Sequence, residues 1–207
     1  MRKLLAAAAA LSAAGLLGTA SAATLTAEFD TGAEGFTAPD FILQWQATGG
    51  NPDGYLRLED DTGGFGVLFF GPALVVPLEV GGTISFDATL FSATGGNTPD
   101  FGELTLSGGG FTATVDMVTG VPPTGSWQTY SVGLDAATFG LSTGDFATML
   151  ANIDGIELVI ESTFGINEVL GFDNFRVSAA DAVPVPAAAF LFASLAGALA
   201  VRRRMAR

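Results

Sequence analysis

The sequence predicts an all-β chain: a jelly-roll β-sandwich with one short internal helix, set between an N-terminal signal helix and a C-terminal transmembrane helix. Three observations carry that expectation. Short segments with a two-residue apolar period recur through the middle of the chain, as half-buried strands require. Many of the 28 glycines fall between those segments and supply turns. Only one internal stretch has a convincing helical period.

Taken in order, Met1-Arg2-Lys3 is a basic start, followed by an apolar run from Leu4 to Leu17 and the small-x-small pattern Ala20-Ser21-Ala22. These are the parts of a secretory signal peptide, residues 1–22, cut by signal peptidase. The domain follows, over residues 23–178, about 155 residues and the size of a single domain. Its strand candidates are Leu25 to Phe29, Phe41 to Gln46, Tyr55 to Glu59, Glu103 to Ser107, Trp127 to Val132 and Val169 to Val177. Alternation is clearest in Thr83 to Leu90, where Ile84, Phe86, Ala88 and Leu90 share one face. Phe111 to Met117 alternates in the same way, as does Gly155 to Glu161, with Ile156, Leu158 and Ile160 inward and Glu157 and Glu161 outward. Phe65 to Val76 is almost wholly apolar apart from Gly66, Gly71 and Pro72, and reads as a covered strand broken by a turn. The helix is marked by Phe146, Met149, Leu150 and Ile153 at i, i+3, i+4 and i+7, with Ser142, Thr143 or Asp145 to cap it. Residues 179–186 form a linker with two prolines, and residues 187–207 an apolar helix ending in arginines.

Charge narrows the function. Of eight Lys and Arg, six lie in the terminal segments, so Arg57 and Arg176 face all 21 acids and the part between carries −19. Such a field repels phosphates and argues against a nucleic-acid partner. The chain has no Cys and no His. That removes Ser-His-Asp and Cys-His nucleophiles and the usual zinc sites, and leaves the fold to core burial. No enzyme is expected. A glycosidase built on two carboxylates needs no histidine and is the least favoured alternative.

Two stretches resemble known families. Val183-Pro184-Val185-Pro186-Ala187, the apolar run to Val201 and Arg202-Arg203-Arg204 resemble a PEP-CTERM sorting signal of the Val-Pro-Leu-Pro-Ala kind, with Val185 in place of Leu. The resemblance implies export in a Gram-negative bacterium and transient tethering in the inner membrane. Cleavage by an exosortase and delivery to the cell surface or extracellular matrix would follow. Fifteen residues from Ala187 to Val201 reach about 22 Å as a helix. That is short of a hydrocarbon core of roughly 30 Å unless Val183 to Pro186 lie at the interface, with the arginines held in the cytoplasm.

The middle resembles the laminin B (laminin IV type A) domain. The matching stretches are Phe29 to Phe36, Gly50 to Leu56, Gly82 to Asp87, Trp127 to Val132, Leu150 to Ile153 and Gly171 to Val177, in the expected order. It implies a sandwich similar to carbohydrate-binding modules, without catalytic activity, and so a structural or adhesive role. In such sandwiches an ion often joins the first and last strands. Calcium there would recruit Glu28 or Asp30 together with Asp173, hard oxygen donors suited to it. The alternative is a calcium-dependent module that binds extracellular polysaccharide. Its stacking platforms are sought among Trp45, Tyr55, Trp127 and Tyr130, each of which could instead be core. Periodicity leaves the face of Trp45 open.

Overall fold

The computed structural model describes residues 25–60, 66–71, 77–98, 100–164 and 167–180. The expected signal segment, the expected sorting motif Val183 to Ala187 with Arg202 to Arg204, and the expected C-terminal helix lie outside them. Among the described residues no helix is long and apolar enough to cross a membrane.

Eleven strands of the described residues pair into two antiparallel sheets that enclose one core. They are β1 (Leu25–Ala27), β2 (Phe36–Thr37), β3 (Ile42–Gln46), β4 (Tyr55–Asp60), β5 (Val67–Phe70), β6 (Thr83–Ser92), β7 (Glu103–Gly108), β8 (Phe111–Asp116), β9 (Gln128–Gly133), β10 (Ile153–Val159) and β11 (Glu168–Ser178). The first sheet runs β3-β4-β11-β6-β9, with β1 also on β11; the second runs β2-β5-β10-β7-β8. The long last strand, β11, is the axis of the first sheet. One edge of it pairs with β6 along most of its length. The other pairs first with β4, over Glu168 to Phe172, and then with β1, over Phe175 to Val177.

The inward sets follow the sequence alternation. Ile84, Phe86, Ala88 and Leu90 are buried on β6, Leu56 and Leu58 on β4, and Leu170, Phe172, Phe175 and Val177 on β11. Leu104, Leu106, Ile156 and Leu158 answer from the second sheet. Phenylalanines fill much of the gap. Phe36 meets Phe70 at 4.6 Å, Phe70 meets Phe175 at 4.5 Å, and Phe86 stacks on Phe172 at 5.4 Å. Contacts between aromatic edges and faces add to the stabilisation that burial gives.

Helix α1 (Thr143–Ala151) is capped by Ser142, whose side chain accepts from the Asp145 N–H, and buries Phe146, Met149 and Leu150. Ile153 departs from the expected helical stripe. The helix ends at Asn152 and Ile153 opens β10, where it is half-buried. Glu161 also departs from expectation. It is buried rather than outward, because the chain leaves β10 after Val159 and its carboxylate takes the Gly66 N–H at 3.1 Å. The apolar run from Phe65 contributes a strand only over Val67–Phe70 among the described residues. The two-residue β2 is too short for any alternation to announce it.

Candidate glycan-binding face

The outward set of the first sheet is where apolar side chains stand among polar ones. On β4 the outward positions are Tyr55, Arg57 and Glu59, alternating with the buried Leu56 and Leu58. On β6 the outward positions run Thr83, Ser85, Asp87, Thr89, and then Phe91, which is 41% exposed. Trp127 stands just before β9, in step with Thr129 and Ser131. Sequence distance disappears across the sheet: Tyr55 lies 5.6 Å from Phe91 and 5.6 Å from Trp127, and Phe91 lies 6.3 Å from Trp127.

Gly171 sits beneath this trio. Its register partners are Arg57 on β4 and Thr89 on β6. A Cβ there would stand 2.6 Å from the Trp127 ring and 3.0 Å from the Phe91 ring, so the missing side chain is the space the rings occupy. The Trp127 Nε1–H donates to the Gly49 carbonyl at 3.3 Å, which ties the indole to the 49–54 loop. Arg57, opposite Gly171, pairs with Glu59 along its own strand.

The same loop is strapped to the sheet by a polar network. The Asn51 N–H donates to Asp173 Oδ2 at 2.6 Å and its side-chain amide to Asp87 Oδ2 at 2.9 Å. Asn174 donates from its backbone to Asp173 Oδ1 at 2.7 Å and from its side chain to Asp87 Oδ2 at 2.8 Å, and also to the Asn51 carbonyl. Asp173 is fully buried, and burial pushes its carboxyl up to about 6. The two backbone N–H groups pull it back, while Asp87 and Asp30 add like-charge repulsion.

Of the four aromatic candidates, the structure brings Tyr55 and Trp127 together and places the other two elsewhere. Tyr130 belongs to the core: it is 8% exposed and its ring lies 5.4 Å from Phe86 and 6.1 Å from Phe101. Its register partner Phe86 points inward, so Tyr130 must as well. Trp45 pairs with the inward Leu56 on an edge strand and donates its Nε1–H to the Phe29 carbonyl. It therefore covers the turn after β1 and lies away from the trio. Phe91 was absent from the candidates. Its signal was an aromatic on the polar parity of β6, in step with Asp87 and Thr89.

The proposed calcium ligands do not converge as a cage. Glu28 is paired with Arg176 at 3.1 Å, and both oxygens of Asp173 already accept amide N–H groups. The charge of Asp30 helps to raise Asp173. Among the described residues no group of three or more Asp, Glu, His or Cys is placed to hold a metal ion.

Three solved structures show what this fold is like. The chain matches the CBM22-1 xylan-binding domain from Paenibacillus barcinonensis Xyn10C with a TM-score of 0.52 at 15% identity, covering 79% of this chain and 98% of that one. The match to the CBM22-1–GH10 modules of Clostridium thermocellum Xyn10B, complexed with xylohexaose, has a TM-score of 0.54 at 13% identity, covering 76% of this chain and 28% of that one. A third match, to CtCBM11, has a TM-score of 0.50 at 14% identity, covering 80% of this chain and all of that one. No protein-family model and no curated protein matches the sequence.

The fold is a β-sandwich similar to those structures.

Proposed function

We propose that this protein binds a neutral polysaccharide through the outer face of its first sheet, with Tyr55, Phe91 and Trp127 as the stacking surface. The observation that carries the reading is that trio. Three aromatic side chains stand at outward positions, in mutual contact, above a glycine that leaves them room. The carbohydrate-binding modules of similar fold support it, and they favour a binding role over a purely structural one. The net charge of −19 between the terminal segments opposes uronate-rich or sulfated chains and so favours uncharged ones. The reading needs neither a metal nor a reaction. The acids with strongly raised pKa values, Glu161 and Asp173, are buried and hydrogen-bonded to backbone N–H groups, where no substrate reaches them.

The test is titration calorimetry of the full chain against a panel of soluble xylan, mixed-linkage glucan and agarose, with Trp127→Ala beside the wild type. Saturable binding to at least one uncharged polymer is expected, weakened at least tenfold in the variant. Equal affinity of both proteins for every polymer bound would sink the assignment of the face.

The sorting tail gives this module its place. We propose that it is exported and held at the cell surface or in an extracellular polysaccharide after cleavage near Val183 to Ala187. The order of the Pro motif, apolar run and arginines supports it. Deleting residues 183–207 should release the protein into the medium, and unchanged surface retention would overturn the claim.

A further inference from the structure

Strand β11 does not pass β6 in even register. Its pairing shifts between Asp173, opposite Asp87, and Arg176, opposite Ser85. Within the shift Asn174 adopts φ 49°, in the left-handed region that side chains other than Gly, Asn and Asp rarely take. Phe172 and Phe175 both point inward across this irregularity. The extra residue therefore turns Asn174, which even alternation would have sent into the core, onto the outer face. Beside it lies a depression of about 260 Å³ lined by Ser85, Asp87, Thr129, Asn174 and Arg176.

None of these five side chains is apolar. Together they offer a carboxylate acceptor, two hydroxyls that donate or accept, the Asn174 amide oxygen as an acceptor, and a guanidinium donor, the Asn174 N–H groups being held by Asp87 and the Asn51 carbonyl. That mixture suits the hydroxyl edge of a sugar ring, whereas the trio suits a ring face. The two places lie along the same strands. Thr89, opposite Gly171, and Ser85, opposite Arg176, are four residues apart on β6, or about 13 Å at strand rise. The nearer lining, Asp87 and Thr129, stands two residues, or about 7 Å, from Thr89 and Trp127, so a chain of two or more rings laid along the strands covers the whole span.

We propose that the depression at the β11 irregularity is a second sugar subsite, which binds ring hydroxyls of the same neutral glycan chain that stacks on Tyr55, Phe91 and Trp127. This rests on the polysaccharide reading of that face. It adds a direction, along β11 and β6, and a preference for ligands of more than one ring.

The experiment measures affinity against chain length. Wild-type protein is titrated with xylo- and cello-oligosaccharides from the monosaccharide to the hexasaccharide, beside the polymer panel. Asn174→Gly removes the side chain and keeps the left-handed backbone accessible. The double variant Ser85→Ala/Thr129→Val strips two hydroxyls without touching the loop network, and it serves if the first fails to fold. In the wild type the hexasaccharide should bind at least tenfold more tightly than the disaccharide, and either variant should collapse that ratio to within about twofold. A wild type without length dependence, or folded variants that keep the full ratio, overturns the subsite and leaves the aromatic seat standing. A wild type that binds neither oligosaccharide nor polymer overturns the polysaccharide reading itself.

Discussion

A methyl group placed on Gly171 would stand 2.6 Å from Trp127 Cη2, 3.0 Å from Phe91 Cε2 and 3.0 Å from Thr89 Cγ2. The first of these is closer than carbon atoms approach, and the indole is rigid, so the ring must lift. Gly171→Ala is therefore expected to weaken glycan binding at least tenfold by calorimetry while costing roughly 1 kcal/mol of stability in urea, the low end for overpacking. Tyr130→Ala should do the reverse. Its ring packs between Phe86 and Phe101 in the core, so truncation should cost roughly 3 kcal/mol and leave the affinity of the folded protein within twofold. The contrast explains what the sequence could offer at this scale. Tyr55 and Trp127 were legible as candidates because large aromatic residues are few outside the phenylalanines. Whether each was platform or core depended on strand parity, and parity depends on where a strand begins. Tyr130 reads inward only once it is known to face Phe86. Phe91 was legible in principle, since it extends the polar parity of Ser85, Asp87 and Thr89. An alternation window that stops at Leu90 hides it.

Elements were more legible than residues, because a strand or helix averages its signal over several positions. β6, β7 and β8 sit within two residues of their expected bounds, since each keeps one face on the core throughout. The helix was legible for the same reason, and it ended early because Asn152 breaks it before Ile153 can join the buried stripe. Its start rests on Ser142, which accepts the Asp145 N–H at 3.2 Å and donates its hydroxyl proton to the Asp145 carboxylate at 2.7 Å. Ser142→Ala should lower stability by about 1 kcal/mol, seen as an earlier urea midpoint with unchanged slope. An unchanged midpoint would mean that packing of Phe146, Met149 and Leu150 alone holds the helix. The irregularity in β11 had no signature. Phe172-Asp173-Asn174-Phe175 reads as a short polar break in an apolar strand, and only the pairing of both flanks with β6 reveals that one residue is extra. The proposed glycan-binding face depends on that extra residue for Asn174 and on the 49–54 loop for Asn51. Both joins link segments more than 30 residues apart in sequence, beyond the reach of any local pattern.

At the scale of the whole molecule the acids decide how stability depends on pH. Glu161 is buried against the Gly66 N–H, with Glu168 and Asp60 as like-charged neighbours, and burial pushes its carboxyl from 4.5 to about 7. Burial raises Glu168 as well, although the Ser162 and Thr163 N–H groups hold its carboxylate, and it raises Asp173 from 3.8 to about 6. In each case the folded protein keeps a proton that the unfolded chain has released. The stabilisation from Asp173 and Glu161 is therefore complete below about pH 4 and is lost as pH rises through about 6 and about 7, and Glu168 acts in the same direction. Mutual repulsion in a domain with only two cations acts in the same direction. Asp135, whose carboxylate is held low by the Thr138 N–H and hydroxyl, opposes the trend only where it takes up its own proton, at lower pH. The unfolding midpoint should thus rise by roughly 5 °C or more between pH 8 and pH 5, followed by circular dichroism at constant ionic strength. Glu161→Gln keeps an acceptor for Gly66 and removes the charge, so it should raise the midpoint at pH 8 and flatten the profile above pH 5. If the wild type instead loses stability steadily from pH 8 to pH 5, the buried carboxyls are ionised without cost and the electrostatic account of this end of the sandwich fails.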